Sequence, residues 1–126
     1  MIKQSIIVRT DLGMSVGKIA GQVAHASQEF LREHYMKFCS SRYPVSLSTD
    51  EHDWLFGDRV KIVLSASSEQ ELLDLKAKCD SKGVKAYFIR DLGKTEIAAD
   101  TLTTLAIGPD QGLLVDEVTN GLKLLR

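Results

Sequence analysis

Four short runs of β-branched, aliphatic and aromatic residues constrain the fold of this chain more than any other feature. They are residues 5–9, 60–65, 86–89 and 104–107, each bounded by Gly, Asp, Ser or Pro. Runs of this kind are typical of strands. Several are apolar at consecutive positions instead of alternating, which indicates strands covered on both faces. We therefore expect helices on both sides of a sheet.

Segments with helical spacing separate these runs. Apolar residues recur at intervals of three and four through residues 16–38, which predicts a long amphipathic helix. Residues 69–82 follow Ser68, and Glu71 lies three positions later, as in a capping box. This second helix is expected to end at Gly83 in a left-handed cap.

The remaining segments are shorter. A third helix is predicted to start near Asp110, after Pro109, and to end near residue 120. Residues 40–57 are acidic and polar around Trp54, and we interpret them as a loop with a short helical turn.

This order of elements predicts an α/β fold. We expect one three-layer domain over residues 1–126, with a mixed, mostly parallel four-stranded sheet and helices on both faces. The connection of residues 91–103 is too short for a helical crossover, so the fourth strand is expected to be the antiparallel member. Internal repeats and linker-like tracts are absent from the sequence.

The charge balance excludes proteins that bind nucleic acid through a global basic field. Sixteen Lys and Arg against 17 Asp and Glu give a formal net charge of -1 at pH 7, so any anion site must be local. Residues 59–94 are the basic part, with eight basic and five acidic groups. Lys76, Lys78 and Lys82 are either the solvated face of a helix or a functional basic face, and the sequence leaves both open.

The sequence also favours a cytoplasmic protein. Its apolar runs are far shorter than the roughly 20 residues of a membrane helix, and its N-terminus lacks the zones of a secretory signal. Cys39 and Cys79 form neither a CxxC motif nor a disulfide framework, which predicts reduced thiols.

Two segments follow predicted strands where ligands bind in open α/β sheets, residues 10–17 and 91–103. Residues 13–18 read Gly-Met-Ser-Val-Gly-Lys and are followed by Ile19. A Walker A loop needs four residues between its glycines and a Ser or Thr after the Lys, so this motif is excluded. The three His lack the ligand spacing of a recognisable metal site.

The first helix carries a polar stripe. Lys18, Gln22, His25 and Glu29 follow at i, i+4, i+7 and i+11, which places them on one side, expected to lie opposite the apolar stripe. Such a stripe is usual on an amphipathic helix, but Lys18 opposes the helix dipole, and an anionic ligand would offset that cost. Residues 90–98 are either an ordinary turn or the second half of a site. Together the two segments hold parts for hydrolysis without metal or covalent intermediate.

Residues 8–26, 89–98 and 101–109, with the tail 115–125, resemble the archaeal and eukaryotic class of peptidyl-tRNA hydrolase. They read VRTDLGMSVGKIAGQVAHA, IRDLGKTEIA, TLTTLAIGP and VDEVTNGLKLL, in the family's order and over nearly the whole chain. The resemblance implies cleavage of the ester that joins a nascent peptide to the terminal ribose of tRNA. It also implies activated water, no metal or organic cofactor, a peptidyl-tRNA partner and a possible homodimer. The short apolar runs, not the resemblance, predict that no membrane partner is involved.

The resemblance also assigns site residues. Lys18, Asp91 and Thr95 carry over as catalytic residues, with Gln22 and His25 as further site residues. We expect Asp91, oriented by Thr95, to polarise water, and Lys18 to stabilise the oxyanion or a terminal phosphate. Gln22 and His25 would position the substrate. We count His25 with Lys18, Asp91 and Thr95 as catalytic candidates. The substrate-binding candidates are Gln22 and Lys94.

The second segment departs from the family's pattern. The differences are Leu92 for Ala, Lys94 for Arg, Glu96 for Gln, and Ala99 and Asp100 for Pro and Gly. We expect this loop to lose rigidity and gain negative charge, and a Lys lacks the bidentate fork of Arg. Residues 25–54 look longer than usual, and the acidic residues 50–58 would repel RNA if they lay near the site. A second hypothesis therefore stays open, a non-catalytic RNA- or protein-binding module derived from the same fold.

Overall fold

Four strands form one sheet in the order β2-β1-β4-β3. The structure is a computed structural model that describes residues 1–41, 44 and 46–126. Its elements are β1 (Ile2–Arg9), α1 (Val16–Ser41), α2 (Thr49–Phe56), β2 (Lys61–Ala66), α3 (Glu69–Lys82), β3 (Ala86–Arg90), β4 (Leu102–Gln111) and α4 (Gly112–Thr119). The predicted α/β class with a mixed four-stranded sheet is confirmed.

The strand directions differ in one respect from the expected mostly parallel sheet. β1 pairs in parallel with β2, as expected for a connection that contains helices. β4 inserts between β1 and β3 and runs antiparallel to both, as the short connection before it required. One insertion thus makes two antiparallel pairs, so the expectation of a mostly parallel sheet is wrong.

β4 is longer than predicted, and α4 starts at Gly112 instead of near Asp110. The strand continues through Pro109, whereas the predicted run ended at residue 107. The register between β1 and β4 shifts here, because residues 108–109 of β4 lie opposite the single residue Gln4 of β1 and form a bulge in β4. Because a proline without an N–H is tolerated at a bulge, the strand resumes beyond it.

Helices cover both faces of the sheet, as predicted. On one face, Phe30 of α1 and Trp54 of α2 pack in a cluster with Ile6 and other apolar residues of the sheet. On the opposite face, α3 and α4 pack in a second cluster that includes Ile7 and Leu105. Consecutive residues of a strand point to opposite faces, which explains why the strands are apolar at consecutive positions.

The local signals for α3 are largely confirmed. Ser68 is the N-cap, and its hydroxyl accepts a hydrogen bond from the Glu71 backbone N–H. The Glu71 carboxylate accepts instead from the backbone N–H and hydroxyl of Ser67, so the reciprocal half of the capping box is displaced by one residue. Gly83 ends the helix in the left-handed conformation with φ 73°.

The segment before β2 contains a true helix. α2 is capped by Ser48 and Glu51 in a complete capping box, where a short helical turn was expected. Residues 42, 43 and 45 of the predicted 40–57 loop lie outside the described residues.

The two edges of the sheet differ. The C-terminal tail lies along β2, where the Leu125 N–H donates to the Val63 carbonyl at 3.0 Å and the Ser65 N–H donates to the Lys123 carbonyl at 2.9 Å. β3 forms the opposite edge. Among the described residues, no helix is both long and apolar enough to cross a membrane.

Candidate active site

An ion pair joins the two segments that sequence analysis singled out. Lys18, in the first turn of α1, donates to the Asp91 carboxylate directly after β3. β1 and β3 run in the same direction on either side of β4, so their carboxyl ends reach the same end of the sheet. The side chains of Lys18 and Asp91 are only 11% and 3% exposed.

Three donors hold the Asp91 carboxylate. Oδ1 accepts from Lys18 Nζ and, at 3.4 Å, from Gln22 Nε2, and Oδ2 accepts from the Gly93 backbone N–H at 2.7 Å. The hydrogen bond from Lys18 is the main cause that lowers the pKa of Asp91, and it outweighs burial, which acts in the opposite direction. Asp91 is therefore ionised at neutral pH.

A buried chain of hydroxyls fixes the orientation of Gln22. Thr103 of β4 donates to Gln22 Oε1 at 2.5 Å, and the Thr104 hydroxyl donates to the Thr103 hydroxyl at 3.2 Å. All three side chains are buried. Because Oε1 faces Thr103, Nε2 faces Asp91, so the buried Gln22 amide helps to hold the carboxylate. Gln22 also lines both cavities described below, and its contact with substrate stays a prediction.

Thr103 and Thr104 belong to the site but were not among the predicted site residues. Both lie within an otherwise apolar buried strand. A buried hydroxyl needs a hydrogen-bond partner, and two threonines in such a run are therefore the signal that could have identified this network.

The other candidate residues line two adjoining cavities beside the ion pair. The first, of about 170 Å³, is lined by Lys18, Gln22, His25, Arg90, Asp91, Leu92, Lys94 and Thr95. The second, of about 340 Å³, also borders Lys18, His25 and Thr95. All six candidate residues thus come together. Thr95 was expected to orient Asp91, but the structure gives that task to the three donors, and Thr95 lies exposed on the cavity wall.

The polar stripe of α1 lies beside the apolar one, not opposite it as expected. The buried residues of the helix are Gln22, Ala26 and Phe30, so the polar stripe borders the buried side. This position lets Lys18 reach the end of the sheet. Glu29, the fourth residue of the stripe, pairs with Arg32 at 3.0 Å and lines neither of the two cavities.

Glu96 ties the second segment to the start of α1. Its carboxylate accepts from the Ser15 backbone N–H at 2.9 Å and from the Ser15 hydroxyl. These hydrogen bonds lower the pKa of Glu96 below its usual value. The Ser15 hydroxyl in turn accepts from the Lys18 backbone N–H at 3.3 Å. The negative charge that Glu96 adds to the loop is therefore bound by hydrogen bonds from Ser15 at the start of α1.

Backbone hydrogen bonds and a close glycine contact close the second segment, and its expected loss of rigidity stays a prediction. The Asp91 N–H donates to the Thr101 carbonyl at 2.9 Å, and the Asp100 N–H donates to the Asp91 carbonyl at 2.6 Å. Gly93 has φ 78°, and a Cβ at this position would lie 2.5 Å from the Ala99 backbone. The loop is closed and tightly packed without the Pro and Gly of the family's pattern.

The basic residues of α3 fit the simpler interpretation. Lys76 pairs with Asp80 at 2.7 Å and Lys82 with Glu117 at 3.5 Å, while Lys78 donates to the Glu117 carbonyl at 3.0 Å. Each of these ammonium groups contacts a nearby carboxylate or carbonyl group. This favours a solvated helix face over a surface that binds nucleic acid.

The start of the acidic segment lies far from the ion pair. Asp50 accepts a hydrogen bond from Gln111 at the last residue of β4. Asp91 pairs with the opposite end of that strand, through its N–H bond to Thr101. The α2 end with Asp50 therefore does not border the cavities.

The sequence of this chain is similar to proteins of one family, the peptidyl-tRNA hydrolases. The sequence profile of "Peptidyl-tRNA hydrolase PTH2" matches residues 2–125. The peptidyl-tRNA hydrolase of Methanopyrus kandleri is 41% identical over 127 residues, covering 100% of both chains. That of Methanocaldococcus jannaschii is 36% identical over 124 residues, covering 98% of this chain and 100% of the relative.

A solved structure, that of a protein of unknown function from Agrobacterium tumefaciens strain C58, shares the fold. Its TM-score is 0.59 at 13% identity, covering 98% of this chain and 97% of that one. The fold, the site and the profile match over residues 2–125 lead to one assignment: this chain belongs to the peptidyl-tRNA hydrolase PTH2 family.

Proposed function

We propose that this chain hydrolyses the ester bond of peptidyl-tRNA and releases free tRNA and peptide. The observation that carries the proposal is the shielded Lys18–Asp91 ion pair, which lines a cavity at the carboxyl ends of β1 and β3. A charged pair held in a shielded cavity is suited to stabilise charge that develops during a reaction. The family assignment supplies the substrate class.

Asp91 orients the attacking water. A carboxylate has about four lone-pair sites, and Lys18, Gln22 and Gly93 occupy three of them. The remaining site on Oδ2 accepts a hydrogen bond from water. As the water oxygen bonds to the ester carbonyl carbon, its proton moves to Asp91, and the ribose oxygen takes a proton when the carbon–oxygen bond breaks.

Lys18 stabilises the tetrahedral oxyanion. Its ammonium has three N–H donors, of which one is directed at Asp91. Lys18 lines both cavities, and its other donors are available to an oxyanion that forms beside Asp91. Asp91 keeps the ammonium in place before the reaction, which reduces the cost of reorganisation in the transition state.

His25, Thr95 and Lys94 provide the exposed contacts to the substrate. His25 and Thr95 border both cavities, and Lys94 borders the smaller one. A hydroxyl and an imidazole can hydrogen-bond to the terminal ribose, and the Lys94 ammonium can neutralise a nearby phosphate. Hydrolysis in this scheme uses water and these side chains, without metal or organic cofactor.

We further propose that residues 1–126 act as one domain, in the cytoplasm and as a homodimer. All four strands contribute to a single sheet, which supports one domain. Peptidyl-tRNA arises during translation, which supports the cytoplasm. The homodimer is proposed because of the resemblance to the family. A measurement of the molar mass by light scattering tests it.

The test is a hydrolysis assay with purified peptidyl-tRNA, with and without chelator, on the wild type and Asp91→Asn. We expect the wild type to release intact tRNA equally in both conditions. Asp91→Asn keeps the side-chain shape but loses the proton acceptor, so kcat should fall by about 10²- to 10⁴-fold with little change in binding. Near-normal turnover of this variant would remove Asp91 from the mechanism, and wild-type turnover that the chelator abolishes would overturn the metal-free scheme.

A further inference from the structure

The free edge of β3 offers unpaired backbone groups beside the proposed active site. The Gly108 N–H donates to the Lys85 carbonyl at 2.9 Å, and Tyr87 and Ile89 occupy the next positions of that type in the register with β4. By alternation, the N–H and C=O groups of Ala86 and Phe88 point away from β4. Within the described residues, β3 has a strand neighbour on one side only.

The backbone groups of Arg90, the last residue of β3, also point away from β4. Asp91, the next residue, directs its N–H at the Thr101 carbonyl, so the backbone of Arg90 faces outwards. The tail covers the opposite edge of the sheet at β2. The edge left open is therefore the one that leads directly to Asp91.

A groove follows this edge. It has a volume of about 500 Å³ and lies between α1 and β3, lined by residues that include Gln28, Arg32 and Phe88. It shares Arg90 and Leu92 with the cavity at the ion pair, and His25 as well. The groove and the cavity are thus continuous, and Leu92, whose side chain is largely exposed, lies at their junction.

We propose that the peptide part of peptidyl-tRNA binds in this groove as an added strand along the free edge of β3. This inference rests on the proposed function and specifies which part of the substrate occupies which surface. Strand addition to an exposed sheet edge is a recurring mode of peptide recognition, in which backbone hydrogen bonds give the affinity. Such recognition suits a nascent peptide, because it does not depend on the peptide's sequence.

The direction of the bound peptide follows from the chain direction. The ester lies at the C-terminal end of the peptide and must reach Asp91. β3 also runs towards Asp91, from Ala86 to Arg90. The peptide must therefore lie parallel to β3. The five residues of β3 span roughly 16 Å at about 3.3 Å per residue, so the edge accommodates a peptide of about four or five residues.

The first experiment varies the substrate and leaves the protein unchanged. One tRNA carries a single N-acetylated amino acid or peptides of two to six residues, and kcat/KM is measured for each. We expect kcat/KM to rise with length by about 2- to 10-fold for each hydrogen bond gained, then to level off at about four or five residues. A flat length profile, with hydrolysis intact, would overturn the groove assignment.

A second series places one N-methyl group at successive peptide positions. Alternate residues of an added strand direct their N–H groups at the partner strand, so methylation should lower kcat/KM at every second position only. Equal effects at neighbouring positions would also refute strand addition. Failure to hydrolyse any of these substrates would instead overturn the proposed function.

A pair of variants at Phe88 tests the same edge by changing the protein instead of the substrate. Phe88→Pro removes the outward N–H, which an edge strand tolerates, and Phe88→Ala is the control that loses the side chain alone. We expect the ratio of kcat/KM between the pentapeptidyl and N-acetylaminoacyl substrates to be about 2- to 10-fold lower in Phe88→Pro than in Phe88→Ala.

Circular dichroism checks that both variants fold, and the N-methyl series decides the matter if the proline variant does not. Light scattering tests whether a second copy of the chain, instead of the peptide, occupies the free edge of β3. A wild-type dimer that dissociates in Phe88→Pro, with an unchanged ratio, would assign this edge to a second copy of the chain and reject the peptide.

Discussion

Single residues of the site work by constraining one another. Asp91 is fixed by Lys18, Gln22 and Gly93, and Gln22 is fixed in turn by Thr103. Asp91 Oδ1 is shared by Lys18 and Gln22, so the positions of these two donors depend on one another. The removal of one buried group therefore affects side chains that it does not touch.

The lowered pKa of Asp91 predicts how stability depends on pH. The stability that ionised Asp91 contributes is present above the pKa of an unfolded Asp, about 3.9, and is lost as the pH falls through the lower pKa of the folded state. The difference in free energy of unfolding between the wild type and Asp91→Asn should thus stay constant from about pH 7 to 5 and decline only below about pH 4. Urea unfolding over this range measures it, and a decline near neutral pH would contradict the assignment.

Thr103→Val tests whether Gln22 acts through its orientation. The variant leaves Gln22 Oε1 without its donor, so the amide is free to turn its oxygen towards Asp91. We expect kcat to fall about tenfold with KM nearly unchanged, and stability to fall by about 1–3 kcal/mol. Thr103→Ser keeps the hydroxyl and should restore kcat. A serine variant as slow as the valine variant would indicate a packing role instead.

Part of this network was accessible from sequence. Lys18 and Asp91 were expected to meet because each follows a predicted strand at the same end of the sheet. The partners of Asp91 were not accessible, since they depend on β4 lying between β1 and β3 and on the rotamer of Gln22. Thr95 was therefore given a task that three other groups perform.

At the scale of elements, the loop after β3 holds the site's geometry. Gly93 supplies the N–H that binds Asp91 Oδ2, and its positive φ lets the loop close against Ala99. The loop and the start of α1 are joined at Ser15 and Glu96. The catalytic candidates thus lie on two segments that are locked to each other.

Gly93→Ala and Gly83→Ala form a matched pair. Both glycines have φ above 70°, but a Cβ at Gly83 meets nothing within 4 Å, whereas one at Gly93 collides with backbone. Gly83→Ala should cost about 1–2 kcal/mol of stability through φ strain and keep normal kcat. Gly93→Ala should cost more and lower kcat, because the N–H that binds Asp91 is displaced. Urea unfolding and steady-state kinetics measure both effects, and equal kcat in the two variants would contradict this role.

The elements themselves were mostly predictable, because apolar runs and caps are local signals. The length of β4 was not, since the strand continues past Pro109 only because a bulge in β4 at residues 108–109 takes up the proline opposite β1. The antiparallel majority was missed for a related reason: strand order is a property of the assembled sheet.

For the whole molecule, the charge distribution predicts a small footprint on tRNA. The net charge is -1, and α3 lysines are engaged with acidic or carbonyl groups. Deacylated tRNA should therefore bind with a shallow log–log salt slope, of magnitude about 1–3, at roughly 0.7–0.9 per neutralised phosphate. Lys94→Ala should reduce the slope by nearly one unit and Lys76→Ala should leave it unchanged. Filter binding over a KCl series measures these slopes, and a reversed order of the two variants would relocate the tRNA contact.

The position of β4 in the sheet has a consequence for protein synthesis. β4 is the last of the four strands along the chain, yet it lies between β1 and β3. While the ribosome makes this protein, Lys18 and Asp91 both emerge before the strand that sets their spacing. Pairings between such distant segments form late in folding. The spacing between Lys18 and Asp91 is therefore set only after β4 has emerged and has inserted between β1 and β3.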